Sequence, residues 1–407
     1  MQRIELLAPA GDMEKLKTAL HFGADAVYFA GKNYGLRAFS SNFEEDTIKE
    51  AVAYCHNRGK RCYVTLNVFA RDRDFDKLPD YLKKLEEANV DAVIVSDLGI
   101  FAYVKKFAPS LEVHISTQAN TTNKYAVASY KELGASRVVL ARELSAEEIK
   151  KISEFNPDTE LEVFVHGAMC ISHSGRCLLS NYLTGRDANH GECVQACRWH
   201  YTITEDSRPD KPMEIQEDER GAYILNSKDM CLIEHLDLLA DCGVHSFKIE
   251  GRMKSSYYVA TVVNAYRKAL DYLYECKEKG KAYKCPKHLR EELNKASHRD
   301  YTTGFVTSDG EVKQKYDSNA QKQESIFVGI IEKIDEGRIL VEQRNKFVKG
   351  DTLELLSPAA RHGEKIKVTR MEDQDGNEVQ VANQVQQKLW IYMKSTEHIY
   401  VGDILRL

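Results

Sequence analysis

Along the first two-thirds of the chain, short apolar runs alternate with amphipathic stretches. The runs fall at residues 4–7, 26–30, 62–66, 92–95, 111–115, 138–141, 161–165, 223–225 and 246–249. Most are rich in valine and isoleucine, as strands buried on both faces of a parallel sheet are. Between them, Met13, Leu16, Ala19 and Leu20, then Ile48, Val52 and Cys55, then Leu78, Leu82 and Leu85 recur at i, i+3, i+4 spacing. That spacing lays an apolar stripe along one helix face. Strand starts recur roughly every 20 to 35 residues, one β-α unit at a time. Such a run fits a closed barrel or a doubly wound sheet. The barrel is preferred: an α/β fold with a (β/α)8 TIM-barrel-like N-terminal domain. Nine runs compete for eight strands, which assigns one of them to a hairpin or insertion near the cysteine-rich stretch.

The rhythm breaks after residue 167. Residues 167–220 are polar and hold glycines, cysteines and Arg208-Pro209-Asp210-Lys211-Pro212, the composition of an insertion. Tyr258, Val262, Val263, Tyr266, Leu270 and Leu273 then predict a long helix, and the chain turns lysine-rich. From residue 325 onward, short β-like runs at 326–331, 338–341, 352–356, 366–369, 388–393 and 403–407 are separated by glycine-containing turns. The expected organisation is a barrel over 1–275 carrying the cysteine-rich insertion, a basic helical connector over 276–324, and a small all-β C-terminal barrel domain over 325–407.

Composition narrows the class. With 407 residues, 43% hydrophobic and 29% charged, the chain has ample core and is not a disordered one. No stretch approaches the roughly 20 consecutive apolar residues of a membrane span, and the N-terminal apolar segment is too short for a signal sequence, so a cytoplasmic protein is expected. A net charge of −5 argues against a general DNA coater and leaves room for a local basic groove shaped to one RNA. Ten cysteines in a large reduced chain do not imply a disulfide framework; some are candidates to hold metal.

The strongest chemical signal is Cys170, Cys177, Cys193 and Cys197, spaced C-x6-C-x15-C-x3-C in one irregular 28-residue segment. Loops supply the varied approach directions that a tetrahedral or cubane centre requires, so iron-sulfur and zinc both fit. The absence of close CxxC pairs favours iron-sulfur. Cys55, Cys62 and Cys242 sit on core-like faces and read as packing residues. Cys276 and Cys285, in the lysine-rich connector, read as surface thiols, and Cys231 is a reserve ligand.

Other polar groups gather where barrel strands end, the place where such folds build their sites: Asn67, Gln118, Arg142 with Glu143, His166, Asn226 with Lys228 and Asp229, and Glu250 with Arg252 and Lys254. Arg142, Arg252 and Lys254 suit a dicarboxylate or an RNA phosphate. His166 and Glu250 are the candidate proton-transfer partners, with Arg142 beside them as the third catalytic candidate. Basic runs with aromatic residues, Lys277 to Arg290 around Tyr283 and Arg344 to Lys349 around Phe347, are candidate RNA contacts, although a solvated helix face and an ordinary turn explain them equally well.

Several motifs carry a resemblance. Glu162-x-Phe164-x-x-Gly167-Ala168-Met169-Cys170 and Gly175-x-Cys177-x-Leu179-Ser180 resemble the signature of peptidase family U32, the collagenase-like proteins. Glu5 to Asp12, Ser116-Thr117-Gln118, Val139 to Glu143, Cys197-Arg198-Trp199 and Lys248 to Lys254 are similar to further blocks of that family. Within it the likeness is greatest to the tRNA-hydroxylating branch. The resemblance implies a 4Fe-4S cluster on Cys170, Cys177, Cys193 and Cys197, tRNA as partner and prephenate as co-substrate. The implied reaction converts the wobble uridine to 5-hydroxyuridine without molecular oxygen. A homo-oligomer or a paralogous U32 subunit is a further expected partner. A U32-type protease and a noncatalytic RNA-binding scaffold are the alternatives. A zinc protease would need an HExxH-like motif, which the chain lacks, and an iron-bound thiolate is not a free nucleophile.

Overall fold

The computed structural model describes residues 3–32, 34–35, 42–170, 172–173, 177, 179–186, 188, 192–196, 217–218, 221–222, 228–307 and 322–407. Seven parallel strands run in chain order: β1 (Glu5–Pro9), β2 (Ala26–Phe29), β3 (Arg61–Leu66), β4 (Ala92–Val95), β5 (Glu112–Ile115), β6 (Arg137–Val139) and β7 (Glu160–Ala168). The strand Ser246–Ile249 pairs in parallel with both β7 and β1, which closes the barrel. Eight of the nine apolar runs are therefore the barrel strands; the run at 223–225 lies outside the described residues. The three predicted amphipathic helices form as α1 (Met13–His21), α2 (Glu45–His56) and α3 (Leu78–Glu87), with their stripes turned to the sheet.

The long pattern becomes the 23-residue helix Ser256–Glu278, capped where the Ser255 hydroxyl accepts the Tyr258 N–H. Val262, Val263, Leu270 and Leu273 are fully buried, each contributing about 1.5–3 kcal/mol. Among the described residues, no helix is long and apolar enough to cross a membrane.

The barrel interior is polar near its closed end. Arg137 on β6 reaches across to Glu5 on β1 at 2.5 Å and also holds Glu162 at 3.1 Å and Glu160 at 2.7 Å. The Tyr63 hydroxyl donates to Glu5 at 2.6 Å, and Lys248 pairs with Glu162 at 2.7 Å. Burial alone would raise the Glu162 carboxyl, but Lys248 and Arg137 outweigh it and hold it at about 2. Burial also lowers His114, against the pull of Glu112, whose carboxylate lies 3.6 Å from its Nε2.

The C-terminal segment forms a seven-stranded antiparallel sheet, its strands in the order Lys365–Lys367, Thr352–Leu356, Ile404–Arg406, Phe327–Asp335, Arg338–Gln343, Lys388–Tyr392 and Met371–Glu372. Its core includes Val328, Ile339, Leu353, Ile391 and Leu405. The sheet docks on the barrel domain through Arg406, which donates to Glu292 at 2.5 and 2.9 Å, and through His21, 2.7 Å from Asp403. Two expectations are corrected here. Phe347 is 1% exposed inside the β-domain core and presents no ring to a base, because its strand Phe347–Val348 pairs inward with Val381–Ala382. Cys276 is 4% exposed, because it lies on the buried face of the long helix.

Candidate active site at the barrel mouth

β7 is longer than its neighbours. Past the barrel rim, its last residues pair antiparallel with the strand Asp229–Cys231, and this extension carries Gly167, Ala168 and Cys170 to the mouth. Gly167 has φ +108°, and a Cβ there would lie 2.8 Å from both the Cβ and the carbonyl oxygen of Glu250. The glycine thus lets the rim of β7 approach the segment that carries Glu250, Arg252 and Lys254. Replacing Gly167 with alanine is expected to destabilise the protein by about 1–3 kcal/mol and to displace Glu250, which chemical denaturation and an activity assay would register together.

Arg142 is the centre of the site. Its guanidinium donates to the Ala168 carbonyl at 2.9 Å, faces Glu250 at 3.4 Å and lies over the Phe164 ring, 3.9 Å from its centroid. Its buried Nε has no hydrogen-bond partner among the described residues. A buried guanidinium with an unspent N–H is built to accept an anion. Arg252, 5% exposed, donates to the Thr65 hydroxyl at 3.1 Å, and Lys254 donates to the Ser297 carbonyl at 3.2 Å beside Tyr258.

The sulfur-rich loop begins at this rim. Burial raises the Cys170 thiol, a backbone N–H of Ser172 acts against that, and the Cys177 and Cys193 thiols and the Arg142 charge all act on it electrostatically. Cys170 thus lies within electrostatic reach of Cys177, Cys193 and Arg142. Cys193 Sγ accepts the Gln195 N–H at 3.4 Å, the kind of N–H···S contact that tunes cluster thiolates. None of the three is in a disulfide, and Cys170 and Cys193 are exposed residues. Soft, accessible thiolates offered from a loop fit an iron-sulfur cluster and, equally, zinc. Cys197 lies outside the described residues. Glu143 faces His173 of the same loop at 3.9 Å.

The remaining candidates divide. Gln118, at the end of β5, follows the Ser116 hydroxyl that accepts its N–H at 3.2 Å, and Asn67 sits just beyond β3; both are half-buried. Lys228 is half-buried before the strand Asp229–Cys231, and Asn226 lies outside the described residues. His166 is 1% exposed and packs between Tyr258, Tyr266 and Tyr301, with its Nδ1 3.3 Å from the Tyr266 hydroxyl. Burial first, then the charges of His298, Arg290 and Lys254, lower it to about 3. A neutral imidazole so enclosed positions the strand against the long helix. Cys231, the reserve ligand, is buried with its sulfur 3.9 Å from the same Tyr266 hydroxyl, and burial raises it to about 11. The Arg142–Phe164 stack was beyond sequence reasoning, because Arg142 follows β6 and Phe164 lies on β7, and only the pairing of those strands brings them together.

A closed parallel barrel, a thiol loop at its mouth and an appended β-domain define the class of protein. The chain belongs to peptidase family U32: the family model matches residues 11–316, and the model of its C-terminal domain matches residues 323–406. Over 405 residues it is 42% identical to tRNA hydroxylation protein P1 of Bacillus subtilis (strain 168), spanning 99% of this chain and 94% of that protein. Over 401 residues it is 36% identical to tRNA hydroxylation protein P of Escherichia coli (strain K12), spanning 88% and 87%. A protein named collagenase from Porphyromonas gingivalis is 32% identical over 342 residues, spanning 80% and 79%.

Proposed function

We propose that the protein is an iron-sulfur RNA hydroxylase that converts the wobble uridine of tRNA to 5-hydroxyuridine without molecular oxygen, with prephenate as hydroxyl donor. The observation that carries this reading is the placement of Arg142 on the Ala168 carbonyl, two residues before Cys170 at the start of the thiol loop, in a chain similar along nearly its whole length to a tRNA hydroxylation protein. Cys170, Cys177, Cys193 and Cys197 would hold a 4Fe-4S cluster, which when bound supplies one-electron chemistry or a Lewis-acid site. Arg142 binds a donor carboxylate through its fork, and Glu250, facing it at 3.4 Å, both orients the guanidinium and stands ready to take a proton. Arg252 and Lys254 add positive charge on the following loop for the second carboxylate or an RNA phosphate. His166 takes no part in proton transfer in this scheme, because its enclosed ring stays neutral.

A peptidase reading draws on the family's name and on the name collagenase of one relative. The histidines flanking Cys170 are engaged elsewhere, His166 with Tyr266 and His173 facing Glu143, so neither serves as its base. Nucleoside mass spectrometry of tRNA from a deletion strain tests the proposal. Loss of 5-hydroxyuridine, restored by the intact gene, supports it; unchanged 5-hydroxyuridine with no second gene covering the loss overturns it. In the same assay Arg142→Lys is expected to lower the rate of modification about 10- to 100-fold, the worth of one charge-assisted hydrogen bond, with the fold intact by circular dichroism.

A further inference from the structure

At the opposite end of the barrel, where strands begin, a second group of metal-ligating side chains converges. His56 ends α2, Cys62 is the second residue of β3, and Asp91 immediately precedes β4. One donor atom from each lies within 4.8 Å of the other two. His56 Nε2 is 3.0 Å from Asp91 Oδ2, and that same oxygen accepts the Cys62 N–H at 2.8 Å. Cys55, one residue before His56, is buried beside this group.

We propose that His56, Cys62 and Asp91, with water as fourth donor, form a zinc site that ties the end of α2 to the starts of β3 and β4. Zinc bonds of about 2.0–2.3 Å in a tetrahedron set donor atoms about 3.3–3.8 Å apart, so ligation needs a contraction of about 1 Å across the group. One imidazole, one carboxylate and one thiol suit zinc, whereas calcium and magnesium take oxygen ligands. The Cys62 N–H already orients the carboxylate as outer hydrogen bonds do in metal sites. His56, with 38% of its side chain exposed, opens the otherwise buried group to solvent and gives an ion its entry. The turn Asn57 to Lys60 is held by N–H groups of Arg58 and Lys60 on the Cys55 carbonyl at 2.9 and 3.0 Å, which fixes the path from His56 to the start of β3.

The experiment is a zinc titration of the full chain against a chromophoric chelator, under argon, with the thermal midpoint recorded with and without zinc. A Cys170→Ser/Cys177→Ser/Cys193→Ser variant separates this site from the mouth loop. The expected result is one equivalent of zinc that survives in that triple variant and raises its thermal midpoint. His56→Ala, a change at a partly exposed position, is expected to weaken that binding at least about tenfold and to abolish the thermal shift. Loss of the equivalent in the triple variant, or unchanged affinity in His56→Ala, overturns the site.

Discussion

Replacing Cys193 with serine is expected to strip the protein of iron and to bring tRNA 5-hydroxyuridine below detection, while leaving the barrel folded. Cys193 is exposed and lies in a loop, so its sulfur supports no core packing, and serine removes only a soft ligand. Anaerobic purification followed by iron and sulfide analysis reads the first effect, and nucleoside mass spectrometry in a complemented deletion strain reads the second. Iron content equal to that of the parent would remove Cys193 from the ligand set. Lost modification with retained RNA affinity would separate a catalytic cluster from a scaffold that recruits another hydroxylase.

The second large effect lies inside the barrel. Arg137→Met is expected to destabilise the fold by about 3–5 kcal/mol, because it leaves the buried Glu162 and the nearly buried Glu5 without their cross-barrel partner. Urea unfolding at neutral pH would measure it. The same network predicts an acid dependence. Glu162 is held at about 2 in the folded chain, below its unfolded value near 4.3. Its contribution is therefore complete above about pH 4.3 and is lost as pH falls toward 2. In the Arg137→Met variant the folded-state pKa of Glu162 moves up toward its unfolded value, so less stability depends on this carboxylate and its acid-dependent loss is smaller than in the parent. Coincident pH profiles for the two proteins would show that Arg137 does not hold the carboxylate.

These two sites differ in how far a reader of the sequence can see them. The thiol spacing in residues 170–197 is visible because four cysteines in polar surroundings have no core to occupy, and Cys170 follows the end of β7 at the mouth. The barrel is visible because a strand buried on both faces must be apolar throughout, and eight such runs repeat with helices between them. The Arg137 network is invisible: Glu5, Arg137, Glu162 and Lys248 stand far apart in sequence and meet only because closure places β1, β6, β7 and Ser246–Ile249 around one interior.

Burial explains the misplaced expectations too. Phe347 beside Arg344 and Lys349 has the local composition of an RNA-contacting loop, yet short-strand pairing turns the ring inward while Arg344 pairs with Glu14 of α1 at 2.7 Å. His166 ends an apolar strand at the rim, and only the long helix, contributing Tyr258 and Tyr266, encloses it. Cys55 and Cys62 read correctly as buried, but their neighbours His56 and Asp91 arrive from different elements. What the sequence by itself determined is the periodic content: the eight-unit barrel, the β-domain after residue 325 and the cysteine loop, all of which follow from local spacing and solvent preference. The tertiary structure alone decided which charges share a cavity and which titratable groups keep water. Those depend on distances between segments many residues apart, and such distances exist only once the barrel has closed.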